Sequence, residues 1–291
     1  MEAKNMLKNK TIRMIGIDLD GTLLTRNKVL TPAGRKALEK AVQAGMAVVP
    51  VTVRPFTGVP EEVLAIPGIR YVITSNGANT YDLEAGKVLR KEHLPHSLAR
   101  EILRQAPGQD VIREIFLKGI GYHDPRTQKM LEARFSIAPP ILAYINRSRR
   151  IVPDFEELLS DPTAHVENIS LMFPSQEARD IVFDRLLKLE DHNKNLPIQI
   201  LRPWKTDLEI THINADKWLA LKDLADRLDI STEEIMALGD GDNDRPMLRE
   251  AGYSVAMGNA PDFVKVTADF CTLDNENDGA AAAICAVLEG M

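Results

Sequence analysis

The stretch that decides the fold is Ile12-Arg13-Met14-Ile15-Gly16-Ile17-Asp18-Leu19-Asp20-Gly21-Thr22. Its first half is a short apolar run with β-branched residues, which predicts a buried strand rather than a helix. Its second half is acidic and carries a glycine, which predicts a tight turn at the strand's C-terminal end. Residues at i and i+2 of an extended chain face the same way, so Asp18 and Asp20 aim above one edge of a sheet. Two carboxylates that close repel each other, and one is driven to keep its proton. A hard divalent cation relieves the repulsion at one of them and leaves the other as a proton carrier. That division of labour suits phosphoryl transfer, in which an in-line nucleophile faces a leaving group that needs a proton. Gly21 lets the chain turn sharply and lets its backbone approach a phosphate. In isolation the pentapeptide also reads as an acidic surface turn.

Outward from this strand, Thr31-Pro32 gives an N-cap and first-turn signal for a helix to about residue 44, which Gly45 ends. A second apolar run over 46–51 leads into Thr52-Val53-Arg54, and a third over 71–74 leads into Ser75-Asn76-Gly77. Strand and helix alternate, which predicts a right-handed parallel α/β unit. The pattern resumes with a strand over 208–211, a helix over 216–228 and a strand over 235–238 that ends in Gly239-Asp240-Gly241-Asp242-Asn243-Asp244. A helix over 246–251, strands over 253–256 and 270–273, and a closing helix over 280–288 complete it. The polar clusters all follow C-terminal strand ends, where open parallel sheets bind ligands. Between them the rhythm changes. Helices over 97–105, 124–134 and 176–189 alternate with strands over 111–117, 120–123, 168–173 and 198–201, and Lys118-Gly119 is too short for a parallel crossover. The expectation is an α/β chain with a Rossmann-like parallel core over 1–80 and 206–291, interrupted by an α+β domain over 81–205. The basic cluster at 147–150 reads as a solvated loop.

The loop 239–244 offers several oxygen ligands, the chemistry of Mg²⁺ or Ca²⁺. An EF-hand needs glutamate at its twelfth position, but counting from Asp240 reaches Ala251 and counting from Asp242 reaches Tyr253. The loop also follows a strand where an EF-hand loop follows a helix, which excludes that motif. Thr52 ends the second strand, where a hydroxyl and backbone N–H groups can bind phosphate oxygens. Lys217 opens a helix, where an ammonium can reach a phosphate and offset crowded carboxylates.

The 291 residues allow one large or two smaller domains, and 44% hydrophobic with 27% charged residues is ordinary for a folded chain. A net charge of -6 argues against a nucleic-acid partner. A phosphate reader with this balance imports positive charge as metal. Cys271 and Cys285 are expected as thiols in a reducing compartment. The polar N-terminus lacks the apolar core of a signal peptide, and no apolar run approaches the ~20 residues of a spanning helix, so a cytoplasmic location without membrane partners is expected.

With these motifs in order, the chain resembles the haloacid dehalogenase superfamily, specifically its Cof-type phosphatases with a large C2-type (IIB) cap. The resemblance runs from about Arg13 to Leu288, with Asp18-Leu19-Asp20-Gly21-Thr22, Thr52, Lys217 and the loop from Gly239 to Asp244 as its four motifs. Arg245-Pro246-Met247-Leu248, Asn76-Gly77-Ala78 and Asp278-Gly279 are similar to recurrent family segments. It implies Asp18 as nucleophile and Mg²⁺ ligand, and Asp20 as general acid and then base, with its backbone carbonyl on the metal. Asp240 would be the third metal ligand. Thr52, Lys217 and Asn243 would meet the phosphoryl group, together with the backbone at Gly21 and Val53. Asp244 would hold Lys217 or a metal-bound water, with Arg54 and Asn76 in support. The inserted domain would be the cap, and the implied activity is hydrolysis of a small phosphorylated metabolite through an aspartyl-phosphate. A sugar phosphomutase using the same aspartate and a non-catalytic phosphometabolite-binding protein are the alternatives. Two departures stand out. Val53 replaces the usual glycine of a Thr-Gly-Arg motif, which puts the turn and Arg54's place in question, and Trp218 stands where many relatives have glycine. His123 and Arg126 are candidate specificity residues, with ordinary surface residues the alternative reading.

Overall fold

β1 is buried at all four positions because it lies between two parallel neighbours in a sheet covered by helices. The structure is a computed structural model that describes residues 11–290 except 109, 136–137, 193–195 and 204. The polar N-terminus of the sequence, residues 1–10, lies outside the described residues. In chain order the strands are β1 (Met14–Ile17), β2 (Ala47–Pro50), β3 (Tyr71–Thr74), β4 (Asn79–Asp82), β5 (Lys87–Lys91), β6 (Leu94–Pro95), β7 (Ile112–Leu117) and β8 (Ile120–His123). They continue as β9 (Arg149–Ile151), β10 (His165–Met172), β11 (Ile198–Leu201), β12 (Asp207–His212), β13 (Ile235–Gly239), β14 (Tyr253–Ala256) and β15 (Phe270–Cys271).

The described residues divide into two compact units, one drawn from 11–53, 59–90 and 216–290, the other from 54–58 and 91–215. In the first, five parallel strands run in the order β15-β14-β13-β1-β2. A bridge from Val51 to Ile73 brings β3 alongside, and β3 opens an antiparallel sheet with β4 and β5. The helix Pro32–Gln43 starts where the sequence predicts, with the Thr31 hydroxyl accepting the Gly34 N–H at 2.9 Å. The apolar core joins strand residues Met14, Val49, Ile73 and Ala237 to Leu221 and Leu224 of the helix Lys217–Arg227.

In the second unit the sheet order is β11-β12-β10-β7-β8-β9, with β6 added against β10. Period two divides its faces. Ile115, Ile169, Leu171 and Ile210 pack with Ile102 and Val182 from the helices His96–Gln105 and Gln176–His192. On the other face Glu114, Ser170 and Glu209 lie in one row across β7, β10 and β12. Glu114 is buried, accepts from Arg149 Nε at 2.9 Å and lies 3.4 Å from His123 Nδ1.

Several expectations are corrected. The strand near 208–211 is β12, antiparallel to β10 and β11 in the second unit and not part of the parallel core. Residues 81–90 stay with the first unit because β4 returns antiparallel on β3, so the interruption falls at 91–215. The cluster at 147–150 ends a helix, Pro139–Ser148, and enters β9; Arg147 and Arg150 are exposed, whereas the Arg149 side chain is 6% exposed and paired with Glu114. His123 is likewise buried and not a surface residue. Arg126 donates to the Gly108 carbonyl at 3.1 Å. Among the described residues no helix is long and apolar enough to cross a membrane.

Glu209 accepts a hydrogen bond from the Asn168 amide. Burial pushes its carboxyl up to about 8, the Asn168 bond opposing and the Glu114 charge adding to the rise. A carboxyl whose folded pKa is raised stabilises the fold fully below its ordinary range and loses that contribution as pH climbs toward 8. Glu209→Gln should therefore leave the melting temperature unchanged at pH 4 and raise it by several degrees above pH 8, at roughly 2–4 °C per kcal/mol regained. Thermal scans at the two pH values check this.

Candidate active site

Two strand ends converge. Asp18 follows β1 directly and Asp240 follows β13, and β1 pairs with β13 along its whole length, from Met14 opposite Ile235 to Ile17 opposite Leu238. The chain can close the gap because Gly21 takes a φ of +85° and has no side chain: a Cβ there would stand 2.3 Å from Asp240 Oδ2. The Thr22 hydroxyl donates to Asp240 Oδ1 at 3.0 Å. Carboxylate oxygens of Asp18, Asp240 and Asp244 lie within 4.8 Å of one another.

Lys217 holds this cluster. Its ammonium donates to Asp18 Oδ1 at 2.7 Å and to Asp244 Oδ1 at 2.6 Å, and the residue is 1% exposed. A lysine in the first turn opposes the helix dipole. Here the Asp216 carboxylate caps the helix, accepting from Trp218 N at 2.8 Å and Leu219 N at 3.0 Å, and two buried carboxylates face the ammonium. Burial alone would lower the lysine's pKa; Asp18 and Asp244 instead hold it well above the ordinary value. The remaining oxygen of Asp244 turns back on its own loop, accepting from Asp240 N at 2.9 Å and Gly241 N at 2.8 Å. Both Asp244 oxygens are thus engaged within the protein.

The ionised cluster is still short of positive charge. Burial pushes the Asp18 carboxyl well above the usual range, Lys217 opposes this, and Asp244 and Asp240 add to it. Burial and Asp244 push Asp240 up to about 7, against the Thr22 hydrogen bond. Hard oxygen donors, desolvated and mutually repelling, match what Mg²⁺ requires. Asp18, Asp240 and Asp244 are the carboxylates that could hold such an ion, and the residues fit it.

The other expected residues fall as follows. Asp20, partly exposed, forms an ion pair with Lys28 at 2.7 Å. Thr52 is fully buried, and its N–H is committed to the Ile73 carbonyl at 2.9 Å, so that group is not offered to a ligand. Asn76, with φ +57°, donates its N–H to the Thr52 carbonyl at 3.1 Å and accepts from Asn243 Nδ2 at 2.9 Å, linking the strand end at 52 to the loop at 243. Val53 is absent from the positive-φ residues, so this turn forms without the left-handed residue that glycine would permit. Arg54 goes with the second unit: it is buried, donates to the Gly58 carbonyl at 2.8 Å and lies 4.2 Å from the centre of the Tyr144 ring. Trp218 is buried in the apolar core of the first unit. Sequence reasoning missed Lys28, the role of Thr22, and Asn259, whose Nδ2 donates to the Gly21 carbonyl at 2.9 Å and to Asp240 Oδ2 at 3.1 Å.

A parallel α/β sheet with two acidic strand ends, a buried lysine and a cluster of carboxylate oxygens suited to a hard cation defines a class of enzymes rather than a binding scaffold. The chain belongs to the haloacid dehalogenase-like hydrolases, whose family model matches residues 15–284. It is 30% identical over 274 residues to the 5-amino-6-(5-phospho-D-ribitylamino)uracil phosphatase YcsE of Bacillus subtilis, covering 94% of each chain. It is 29% identical over 285 residues to the pyridoxal phosphate phosphatase YbhA of Escherichia coli, covering 94% of this chain and 98% of that one. A solved haloacid dehalogenase-like hydrolase from B. subtilis superposes with a TM-score of 0.80 at 29% identity, covering 94% and 99% of the two chains.

Because the folded, metal-free protein disfavours ionised Asp18, neutralising that residue should relieve the fold. Asp18→Asn is expected to raise the melting temperature of metal-stripped protein at pH 7.5, by roughly 2–4 °C per kcal/mol of relieved repulsion. Calorimetry with and without added Mg²⁺ checks this, and a lower melting temperature would contradict it.

Proposed function

We propose that the chain is a Mg²⁺-dependent phosphatase that hydrolyses a small phosphomonoester through a phosphorylated Asp18. The observation that carries this reading is the Lys217 ammonium shared between Asp18 and Asp244 in a buried cluster of carboxylates. A lysine so placed orients one Asp18 oxygen and leaves the other to act. Residues Asp18 and Asp240, with the backbone carbonyl of Asp20, would hold the metal. Bound there, Mg²⁺ supplies the positive charge that lets an anionic nucleophile and an anionic phosphoryl group meet.

Asp18 attacks phosphorus in line while the bond from phosphorus to the ester oxygen breaks. Asp20 gives its proton to that oxygen, and the alcohol leaves. Asp20, now a carboxylate, takes a proton from a water molecule whose oxygen attacks phosphorus; the bond to Asp18 breaks and inorganic phosphate departs. The Lys28 ammonium beside Asp20 favours its carboxylate form, the form that takes the proton from water in the second step. Thr52, Lys217 and Asn243 bind phosphoryl oxygens, and Asn76 fixes the Asn243 amide. The unit of 54–58 and 91–215 takes the part of the cap, and a cytoplasmic location completes the reading. YcsE and YbhA bear the names of chemically different phosphate esters at nearly the same identity to this chain. A small phosphorylated metabolite is therefore as fine a substrate class as they support.

Phosphate release over a panel of sugar phosphates, nucleotides, flavin mononucleotide and pyridoxal phosphate tests the proposal. At least one ester should turn over with Mg²⁺, and a chelator should suppress it. Asp18→Asn should remove turnover by many orders of magnitude, because phosphate monoesters are among the slowest reactions without a catalyst. Turnover retained in that variant rules out the covalent route, and an isomeric sugar phosphate in place of free phosphate points to a mutase.

A further inference from the structure

Asn259 lies in the turn that follows β14, outside the four acidic or basic motifs. Its amide is fully engaged. The Nδ2 group donates forward to the Gly21 carbonyl at 2.9 Å and to Asp240 Oδ2 at 3.1 Å, and Oδ1 accepts the Asn275 N–H at 3.1 Å. With Thr22 on Asp240 Oδ1, the Asp240 carboxylate is held at both oxygens, each of which keeps a lone pair for a further partner. Gly21 matters equally. At φ +85° and without a Cβ, its flanking peptide planes have the rotational freedom of glycine, and one of them carries the Asp20 carbonyl. A donor fixed on the Gly21 carbonyl removes that freedom.

We propose that Asn259 is a positioning residue for the cation site: its amide locks the Gly21 turn to Asp240, so that the strand ends at 18 and 240 present their oxygens at a fixed spacing. The proposal rests on the reading of Asp18 and Asp240 as Mg²⁺ ligands. The side chain is solvent-exposed, and exposed polar side chains on turns contribute little to global stability. Its effect should therefore appear in metal affinity, where groups that orient a ligand carboxylate are worth about 10–100-fold.

The test is isothermal titration of Mg²⁺ into metal-stripped protein, with melting temperatures of the same samples. Asn259→Ala should raise the Mg²⁺ dissociation constant by about 10–100-fold while lowering the metal-free melting temperature less than Val63→Ala does, a truncation in the apolar core. Val63→Ala should bind Mg²⁺ as the parent does. Should Asn259→Ala not fold, Asn259→Ser is read in the same way. Affinity in the Asn259 variant within about twofold of the parent overturns the proposal. So does an equal loss in Val63→Ala, since stability alone would then explain it. A parent that binds no Mg²⁺, or an Asp240→Asn variant that binds it unchanged, overturns the underlying assignment of ligands, a failure distinct from that of Asn259.

Discussion

One buried ammonium, that of Lys217, sits between Asp18 and Asp244, and the organisation of the site depends on it. Taking two charges out of water costs several kcal/mol per ion, and attraction repays this only where further hydrogen bonds satisfy the remaining lone pairs. Asp244 meets that condition: one oxygen accepts the lysine and the other accepts two backbone N–H groups of its own loop. Asp18 does not meet it in the same way. It shares the lysine, stands near two other carboxylates, and is driven toward its neutral form. Local stability is lower there than a quieter side chain would give, and the residue left poorly satisfied is the one at which chemistry is proposed. Evolved sites commonly hold their strain at the reacting group.

The same economy governs the backbone around the cluster. The segment after β3 turns through Ser75 at φ +52°, Asn76 at +57° and Gly77 at +96°, two non-glycine residues in the left-handed region followed by a glycine. The run is held by specific contacts. Asn76 is bonded to both Thr52 and Asn243, and a Cβ on Gly77 would stand 2.2 Å from the Asp216 carbonyl, at the cap of the helix that Lys217 opens. Asn76 thus ties the segment after β2 to the loop at 243 by hydrogen bonds, and Gly77 packs against the start of the helix at 217.

What the sequence reveals follows from the range of each interaction. The strand before Asp18, the proline-started helix at 32 and the acidic loop at 240 are local features with a period or a cap, and the structure places them as read. The strand at 207–212 has the same apolar alternation whichever sheet it joins, so its pattern could not name β10 and β11 as its neighbours. The return of β4 on β3 depends on the turn at 75–77, whose left-handed residues are not glycine, and so the core appeared to end too early. Arg149 sits in a run of basic residues that reads as solvent-exposed; its burial is decided by Glu114, 35 residues away. Lys28 makes one side-chain hydrogen bond and Asn259 three, all from turns, which leave no periodicity to detect.

The two units divide charge differently, and this bears on how one family handles many esters. In the second unit two carboxylates of the sheet are paired with cations, Glu114 with Arg149 and Asp207 with Arg134 of a neighbouring helix. Such pairs cancel, so these groups contribute shape and hydrogen-bonding capacity with little net field. In the first unit the charges do not cancel, because three clustered carboxylates face one lysine. A dianionic phosphate alone would be repelled from that cluster, and a cation alone would be strongly attracted. A bound divalent cation would offset the excess negative charge of the cluster and so lessen the repulsion that a phosphate meets there. Nothing in that balance depends on the alcohol to which the phosphate is attached. The chemistry can therefore stay constant while the ester varies, and the names of YcsE and YbhA show such variation at nearly equal distance from this chain.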